Sequence, residues 1–537
     1  MFVDPRRLLA GGASTASTSE ADIRATLSDA EILATLSSPD ASASAINSAL
    51  AALAQKLRDS PPGLPLAAFL ACGRPIIDVR APCEHARGHI PGALNLPLFD
   101  DAGRAEVGTS YSHAGREAAM ALGMRLVAPR LAELVAAARR VGEKVAVHCW
   151  RGGLRSGAVA WLLRQHGLDV VTLDGGYRAF RRWVLVGLWG GLRLPPRKPP
   201  RVRGLVRKGA GAAAAAAEQA AAEAASAAAA PPTVGGLPAT LVAAVRALPG
   251  PRVCVIGGRT GVGKTRVLHA LRRLGACVID LEGLAHHRGS AFGWCGNPEQ
   301  PSNELFANRV AMAWREAAMA AAGGVSGGDG GGGAAPARGW VFLEDEDSHI
   351  GACETPPGVY AALRCAPLVV RLAVGRRARL ALLVEDYASP EVRAGGAGGV
   401  EGWEQRMEES IRKLGKRLGG ERVGALLDAL RGGDYEEVGR ALLGYYDALY
   451  DKHLLNGTGQ GSGDGARPGA VLEAAQPDDA PALDDAELAR EVLRRVAEFE
   501  AAEAAAPPKV APEVGAREVA PPEAEEEGGE QAACAFQ

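Results

Sequence analysis

Apolar residues fall in short runs set between longer segments of helical period. The runs Pro75-Ile76-Ile77-Asp78-Val79-Arg80, Val145-Ala146-Val147 and Val170-Val171-Thr172-Leu173 each predict a short buried strand. Between and after them, the patterns at 115–139, 156–163 and 178–188 predict helices. The alternation restarts at Arg252-Val253-Cys254-Val255-Ile256-Gly257, continues with Cys277-Val278-Ile279-Asp280, and reaches Trp340-Val341-Phe342-Leu343-Glu344-Asp345-Glu346. Amphipathic helices are predicted over 402–454, with weaker ones at 20–37 and 43–58 and one near 484–504. Short strands alternating with helices predict α/β domains built on parallel sheets. The expected organisation is an Ala- and Ser-rich extension over 1–64, a first α/β domain over 65–190 and a linker over 191–250. A second α/β domain with helices at its C-terminal end follows over 251–456, and then a low-complexity tail over 457–537.

Composition refines this picture in three places. Hydrophobic residues make up 47% of the chain but aromatic ones only 5%, so Ala and Gly inflate the apolar count and part of the length is expected to remain outside any core. The net charge of −2 hides segregation: residues 178–208 carry many Arg and Lys and no Asp or Glu, whereas the tail after Glu473 is strongly acidic. The linker alternates Pro pairs with basic residues and then runs into Ala, which fits a spacer or a polyanion contact. The nine cysteines include no CxxC pair, which argues against a zinc site or a disulfide framework and for a reducing compartment. No apolar run is long enough to span a membrane, and the N-terminus has no secretory h-region. The expected location is the cytoplasm or an organelle interior. Nothing in the pattern specifies an oligomeric state.

Chemistry concentrates in two loops. The first is His148-Cys149-Trp150-Arg151-Gly152-Gly153-Leu154-Arg155-Ser156, between a strand and a helix. A loop that opens a helix gathers unpaired N–H groups and the positive end of the helix dipole, which together favour the thiolate that acts as nucleophile. Cys149 is therefore the candidate nucleophile, and Arg151, Gly152, Gly153, Arg155 and Ser156 form the candidate anion loop. The second is Gly258-Arg259-Thr260-Gly261-Val262-Gly263-Lys264-Thr265, a complete G-x4-G-K-T between a strand and a helix. Its backbone N–H groups wrap phosphate oxygens, Lys264 reaches the outer phosphates, and Thr265 is placed to meet Mg²⁺. Gly258, Arg259, Gly261, Gly263, Lys264 and Thr265 are the expected phosphate contacts. Glu344 and Asp345, ending an apolar strand, are candidates for a metal or substrate, and so is Arg288.

Residues 66–188 resemble the rhodanese family, on Asp78-Val79-Arg80, Glu84, Gly88-His89-Ile90-Pro91-Gly92-Ala93, Asn95, the Cys149 loop and Gly175-Gly176-Tyr177 with Arg178. That family carries sulfur or selenium on a loop cysteine. With the phosphate loop, Asp280-Leu281-Glu282-Gly283-Leu284-Ala285, His287-Arg288-Gly289-Ser290, Gln300-Pro301-Ser302 and Glu344-Asp345-Glu346 added, residues 66–454 resemble the tRNA 2-selenouridine synthase family, a rhodanese domain fused to a P-loop domain. The resemblance implies replacement of sulfur by selenium in 2-thiouridine at the tRNA wobble position, with selenophosphate as donor and geranyl diphosphate supporting an S-geranyl intermediate. It implies an S-selanylcysteine at Cys149 and no tightly bound cofactor. The expected tRNA contacts are Arg197, Lys198, Arg201 and Arg203 in the basic linker. Two alternatives remain open at this point. His-Cys-x5-Arg-Ser also fits a Cys-dependent phosphatase with Arg155 as its clamp, and the P-loop fits a nucleotide kinase or switch carrying a rhodanese interaction module.

Overall fold

The computed structural model describes residues 27–189, 251–321, 339–457, 470–476 and 484–505, apart from 39 and 397, and two short strands at Thr233–Val234 and Leu237–Pro238. Strands are numbered in chain order. In the first domain they are β1 (Ile76–Asp78), β2 (Leu94–Asn95), β3 (Lys144–His148) and β4 (Asp169–Thr172). All pair in parallel in the order β2-β1-β3-β4, with Asp78 opposite His148 and Val147 opposite Thr172. Each connection between parallel neighbours needs a crossover, and the helices Asp101–Val127, Leu131–Val141 and Leu154–Gln165 lie in those connections. The helical pattern expected over 115–139 falls on two of these helices. Pro129 separates them in a 3-10 turn, and the first kinks at Gly115 (φ 83°).

Two helices ahead of residue 65 pack onto the first domain. Helices Asp29–Ser37 and Ala43–Asp59 bury Ile32, Leu36, Ala49, Leu50 and Leu53 in the same core as Val145, Val147, Cys149 and Leu163. Ser28 caps the first of these reciprocally with Glu31. Asp29 accepts from the indole of Trp161 at 3.2 Å and pairs with Lys56 at 2.7 Å, tying both helices to the domain.

Strands β5 (Thr233–Val234) and β6 (Leu237–Pro238) form an antiparallel pair ahead of the second domain. That domain contains β7 (Arg252–Gly257), β8 (Cys277–Ile279), β9 (Trp340–Glu344), a small antiparallel pair β10 (His349–Ile350) and β11 (Cys353–Glu354), and β12 (Leu368–Ala373). Its parallel sheet runs β13-β12-β7-β9-β8, and β13 is Ala470–Ala475. The helix Asp485–Ala505 then packs Leu488, Ala489, Val492 and Val496 onto the core below that sheet. Residues 470–505 therefore complete the second domain instead of belonging to a separate tail. Helices from Arg376 to Gly457 form a lobe beside the sheet around Trp403, Met407, Ile411 and Leu430.

The two domains share one core. Ile90, Tyr177, Phe180 and Val184 of the first pack with Phe306, Val310 and Val359 of the second. Among the described residues, no helix is long and apolar enough to cross a membrane. The Ala-rich run 209–230, the Gly-rich run 323–333, and Arg197, Lys198, Arg201 and Arg203 lie outside the described residues.

Candidate functional site

β3 delivers Cys149 to the C-terminal edge of the first sheet, where it is 3% exposed. The hydroxyl of buried Ser156, in the first turn of helix Leu154–Gln165, donates to Cys149 Sγ at 3.2 Å. A hydroxyl donor aimed at sulfur stabilises charge on it. The loop closes against the start of helix Gly176–Trp189: Tyr177 N–H donates to Cys149 O at 2.8 Å, and Arg178 N–H to Trp150 O at 2.9 Å. Gly152 (φ 67°) and Gly176 (φ 59°) meet back to back there. A side chain on Gly152 would lie 2.8 Å from Gly176 N and overlap Leu173 O.

The charges around the loop are sorted by burial. Arg155 Nη1 donates to Glu84 Oε2 at 3.2 Å, and Arg104 approaches the same carboxylate at 3.6 Å. The clamp that the phosphatase alternative requires is thus engaged by Glu84. Arg151, Gly153 and Leu154 are exposed at the mouth. Beneath the loop, Asp78 and Arg80 form a buried pair at 2.6 Å, and Arg80 also donates to Gly88 O at 2.8 Å. Burial would raise the Asp78 carboxyl, but the His148 ring and the Arg80 guanidinium more than offset this and hold it below the usual range. Burial drives His148 down to about 4, against a smaller upward pull from Asp78, so the ring behind Cys149 is neutral at ordinary pH.

Arg80 lies 3.9 Å over the ring of Tyr177, whose hydroxyl reaches the second domain. It donates to Glu304 Oε1 at 2.6 Å and accepts from Asn308 Nδ2 at 2.7 Å. Asn308 also donates to His89 O at 2.9 Å, and its Oδ1 accepts from Arg181 at 2.8 Å. Ser302 donates to Arg87 O. One residue, Tyr177, therefore holds the Cys149 loop by its backbone and helix Asn303–Ala321 by its side chain.

In the second domain, Gly258, Gly261 and Gly263 take φ values of 141°, 79° and 76° in the turn between β7 and helix Lys264–Arg273. Arg259 is exposed, and Lys264 is half-buried. Thr265 donates to Glu282 Oε2 at 2.8 Å. Arg379, nearly buried, donates twice to Thr260 O, at 2.9 and 2.7 Å, and pairs with Asp447 at 2.5 Å. It fixes the loop against the helical lobe. Arg288 donates to Asp386 O at 2.8 Å and lies 5.1 Å from the centre of the Tyr387 ring.

Glu344 and Asp345, singled out in sequence, stand at and just after the end of β9, and a side chain on Gly257 would lie 3.7 Å from Asp345 Oδ2. Glu344 is fully buried and accepts from Glu282 N–H at 2.6 Å, while Asp345 pairs with Arg364 at 2.9 Å. Two further acids beside the loop are Glu282, bonded to Thr265, and Glu346, whose carboxyl feels Lys264. Burial first, and then neighbouring carboxylates, push Glu344 and Glu346 well above the ordinary range. Both Glu282 and Glu346 stand in motifs visible in the sequence, but their convergence depends on β8 and β9 lying side by side. Among the described residues, no group of three or more His, Cys, Asp or Glu side chains is arranged to hold a metal ion.

Comparison with known proteins gives the same two-part division. Residues 65–182 match the rhodanese-like domain, and residues 251–468 match the tRNA 2-selenouridine synthase AAA domain. A tRNA 2-selenouridine synthase of Marinobacter nauticus is 31% identical over 410 residues, covering 72% of this chain and 90% of its own. Its counterpart in Pseudomonas fluorescens is 32% identical, covering 70% of this chain and 88% of its own. That of Bordetella bronchiseptica is 33% identical, covering 70% and 87%.

Proposed function

The chain belongs to the tRNA 2-selenouridine synthase family, and from that premise we propose that it replaces the sulfur of 2-thiouridine at the tRNA wobble position by selenium. The observation that carries this reading is the Cys149 loop: a buried sulfur with a hydroxyl donor at 3.2 Å, locked through Tyr177 to a domain bearing a complete phosphate loop. In this reading Cys149 is the nucleophilic sulfur of the selenium-transfer step for which selenophosphate is the donor, and Ser156 stabilises charge on that sulfur. Arg151, exposed at the mouth, meets the anionic donor, and Gly152 and Gly153 let the backbone curl around it.

The phosphate loop holds the diphosphate of geranyl diphosphate. Lys264 supplies a point charge, and the N–H groups of Gly261 to Thr265 supply the cradle. A thiocarbonyl sulfur is a poor leaving group, and alkylation improves it before a selenium nucleophile displaces it. A Mg²⁺ ion accompanying the diphosphate would meet hard oxygen donors at Thr265 and Glu282, with phosphate oxygens and water completing its shell.

The test is mass spectrometry of wobble nucleosides from tRNA treated with purified protein, selenophosphate and geranyl diphosphate. Cys149→Ser is expected to abolish selenouridine while leaving geranylated nucleoside and tRNA binding intact. Lys264→Ala is expected to cut geranyl transfer at least about tenfold, since a bond to a charged group is worth roughly 1.5–3 kcal/mol. Normal selenation by Cys149→Ser would remove the cysteine from the mechanism. Intact geranyl transfer by Lys264→Ala, with loss of nucleoside triphosphate hydrolysis, would favour the kinase-like alternative.

A further inference from the structure

Beside the phosphate loop lies a cleft of about 590 Å³, counting the part open to solvent. Thr260 of the loop and Ser290 stand on its lining, and Leu383, Val384, Met407 and Leu442 make much of its wall. These wall residues come from helices Arg376–Ala388, Gly399–Lys413 and Tyr435–Gly457. Cleft and loop adjoin directly: a side chain on Gly261 would lie 3.1 Å from Leu383, and Arg379, one turn before Leu383, is bonded to Thr260 O.

The cleft's aromatic residues spend their polar atoms elsewhere. Trp403 Nε1 donates to Tyr387 O at 3.1 Å, and the Tyr435 hydroxyl accepts from Arg393 at 3.0 Å. The Tyr387 hydroxyl is hydrogen-bonded to the Ser290 side chain, and that of Tyr446 to the backbone at Ala291. Burial pushes both phenols up, Tyr446 to about 12, so neither ionises at ordinary pH. A nucleobase is recognised by hydrogen bonds to its edges, and these side chains offer it engaged ones. A hydrocarbon chain asks only for apolar surface.

We infer that this cleft takes the hydrocarbon tail of a prenyl diphosphate whose phosphates occupy the Gly258–Thr265 loop. The inference rests on the reading of that loop as a diphosphate site. It assigns chain-length selection to the helical lobe, and Arg379 becomes a positioning residue that holds the lobe against the loop.

The experiment is calorimetric titration of the intact protein, without tRNA. The probes are inorganic pyrophosphate, dimethylallyl diphosphate, geranyl diphosphate and ATP. Geranyl diphosphate is expected to bind at least about tenfold more tightly than dimethylallyl diphosphate or pyrophosphate, because each buried methylene is worth roughly fourfold. Val384→Trp, which fills the cleft, should bring geranyl diphosphate down to the pyrophosphate level and leave pyrophosphate itself unchanged. The chain-length series on the unaltered protein decides the matter even if that variant does not fold. Equal affinity for pyrophosphate and geranyl diphosphate, or an undiminished geranyl affinity in folded Val384→Trp, overturns the tail site while leaving the diphosphate reading standing. ATP binding tighter than geranyl diphosphate and lost in Val384→Trp overturns it in favour of a nucleotide. Absence of pyrophosphate and geranyl diphosphate binding alike rejects the diphosphate reading itself, and with it the tail site.

Discussion

Glu344 shows how burial sets the chemistry of a single carboxyl. It ends an apolar strand, where P-loop proteins keep a metal-organising acid, yet it is fully buried. Its Oε1 accepts from Glu282 N–H, and its Oε2 has no hydrogen-bond partner among the described residues. Burial first, and then the nearby Asp280 and Glu282, push its carboxyl well above the ordinary carboxylate range. A carboxyl whose folded pKa is raised stabilises the fold fully below its unfolded pKa, and that stability is lost as pH rises through the folded value. The second domain should therefore lose stability as pH rises above the ordinary carboxylate range, a fall that thermal melting across pH would read. Glu344→Gln keeps the acceptor for Glu282 N–H and cannot ionise, so it should stabilise the protein by about 1–3 kcal/mol at pH 8. Its melting temperature should also vary less with pH. Some dependence should survive, because Glu346 is shifted the same way. A Glu344→Gln profile parallel to that of the unaltered protein would show that Glu344 is not the source.

At the scale of elements, the edge strand β13 and the helix after it are integral to the second domain. β13 pairs with β12 along six residues, and helix Asp485–Ala505 covers Val267, Leu268 and Leu271 of the helix that follows the phosphate loop. Glu500 accepts from the Trp340 indole at 2.7 Å, and Arg273 pairs with Asp485 at 2.8 Å. Truncation after Gly457 should therefore cost more than about 3 kcal/mol or abolish soluble expression, since it uncovers a whole face of core side chains. Truncation after Ala505 should shift stability by less than about 0.5 kcal/mol. Equal melting of the two truncated proteins would show that the added strand and helix contribute nothing. The helix was legible near 484–504, but the strand was not, because Ala470-Val471-Leu472-Glu473-Ala474-Ala475 sits among Gly, Ala and Pro, and its only strong signal is a partner about a hundred residues away. By contrast, both candidate loops were legible, because strand, glycine turn and helix are contiguous there and each motif carries its own geometry. The Ser28-x-x-Glu31 capping box was also written in the chain, but the burial that joins its helix to the first domain depends on Trp161, far away in sequence. Glu346 was visible as an acid, and its place beside Lys264 follows only from the sheet order.

Over the whole molecule, the Cys149 loop and the phosphate domain are joined through the Tyr177, Glu304, Asn308 and Arg181 network, so a tRNA arm must reach the mouth of the Cys149 loop from outside that joint. The exposed cations at that mouth are Arg151, on the loop, and Arg178 and Arg182, four residues apart on one face of helix Gly176–Trp189. Arg178 is brought beside the loop by its N–H bond to Trp150 O, and Trp150 itself is 36% exposed, an aromatic surface next to positive charge. That pairing suits an unstacked base and its phosphates. Replacing Arg151, Arg178 and Arg182 by Ala should weaken tRNA binding and flatten its dependence on salt. Contacts to single-stranded phosphates each contribute a slope of about 0.7, so the logarithmic slope should fall by roughly 2. Because phosphate contacts position and do not read sequence, the preference among tRNAs should not change. Geranyl diphosphate binding in the absence of tRNA should also stay the same, which separates lost tRNA contact from misfolding. An unaltered salt slope in the folded triple variant would place the tRNA surface away from the Cys149 mouth, and Arg197, Lys198, Arg201 and Arg203 would be the next group to replace.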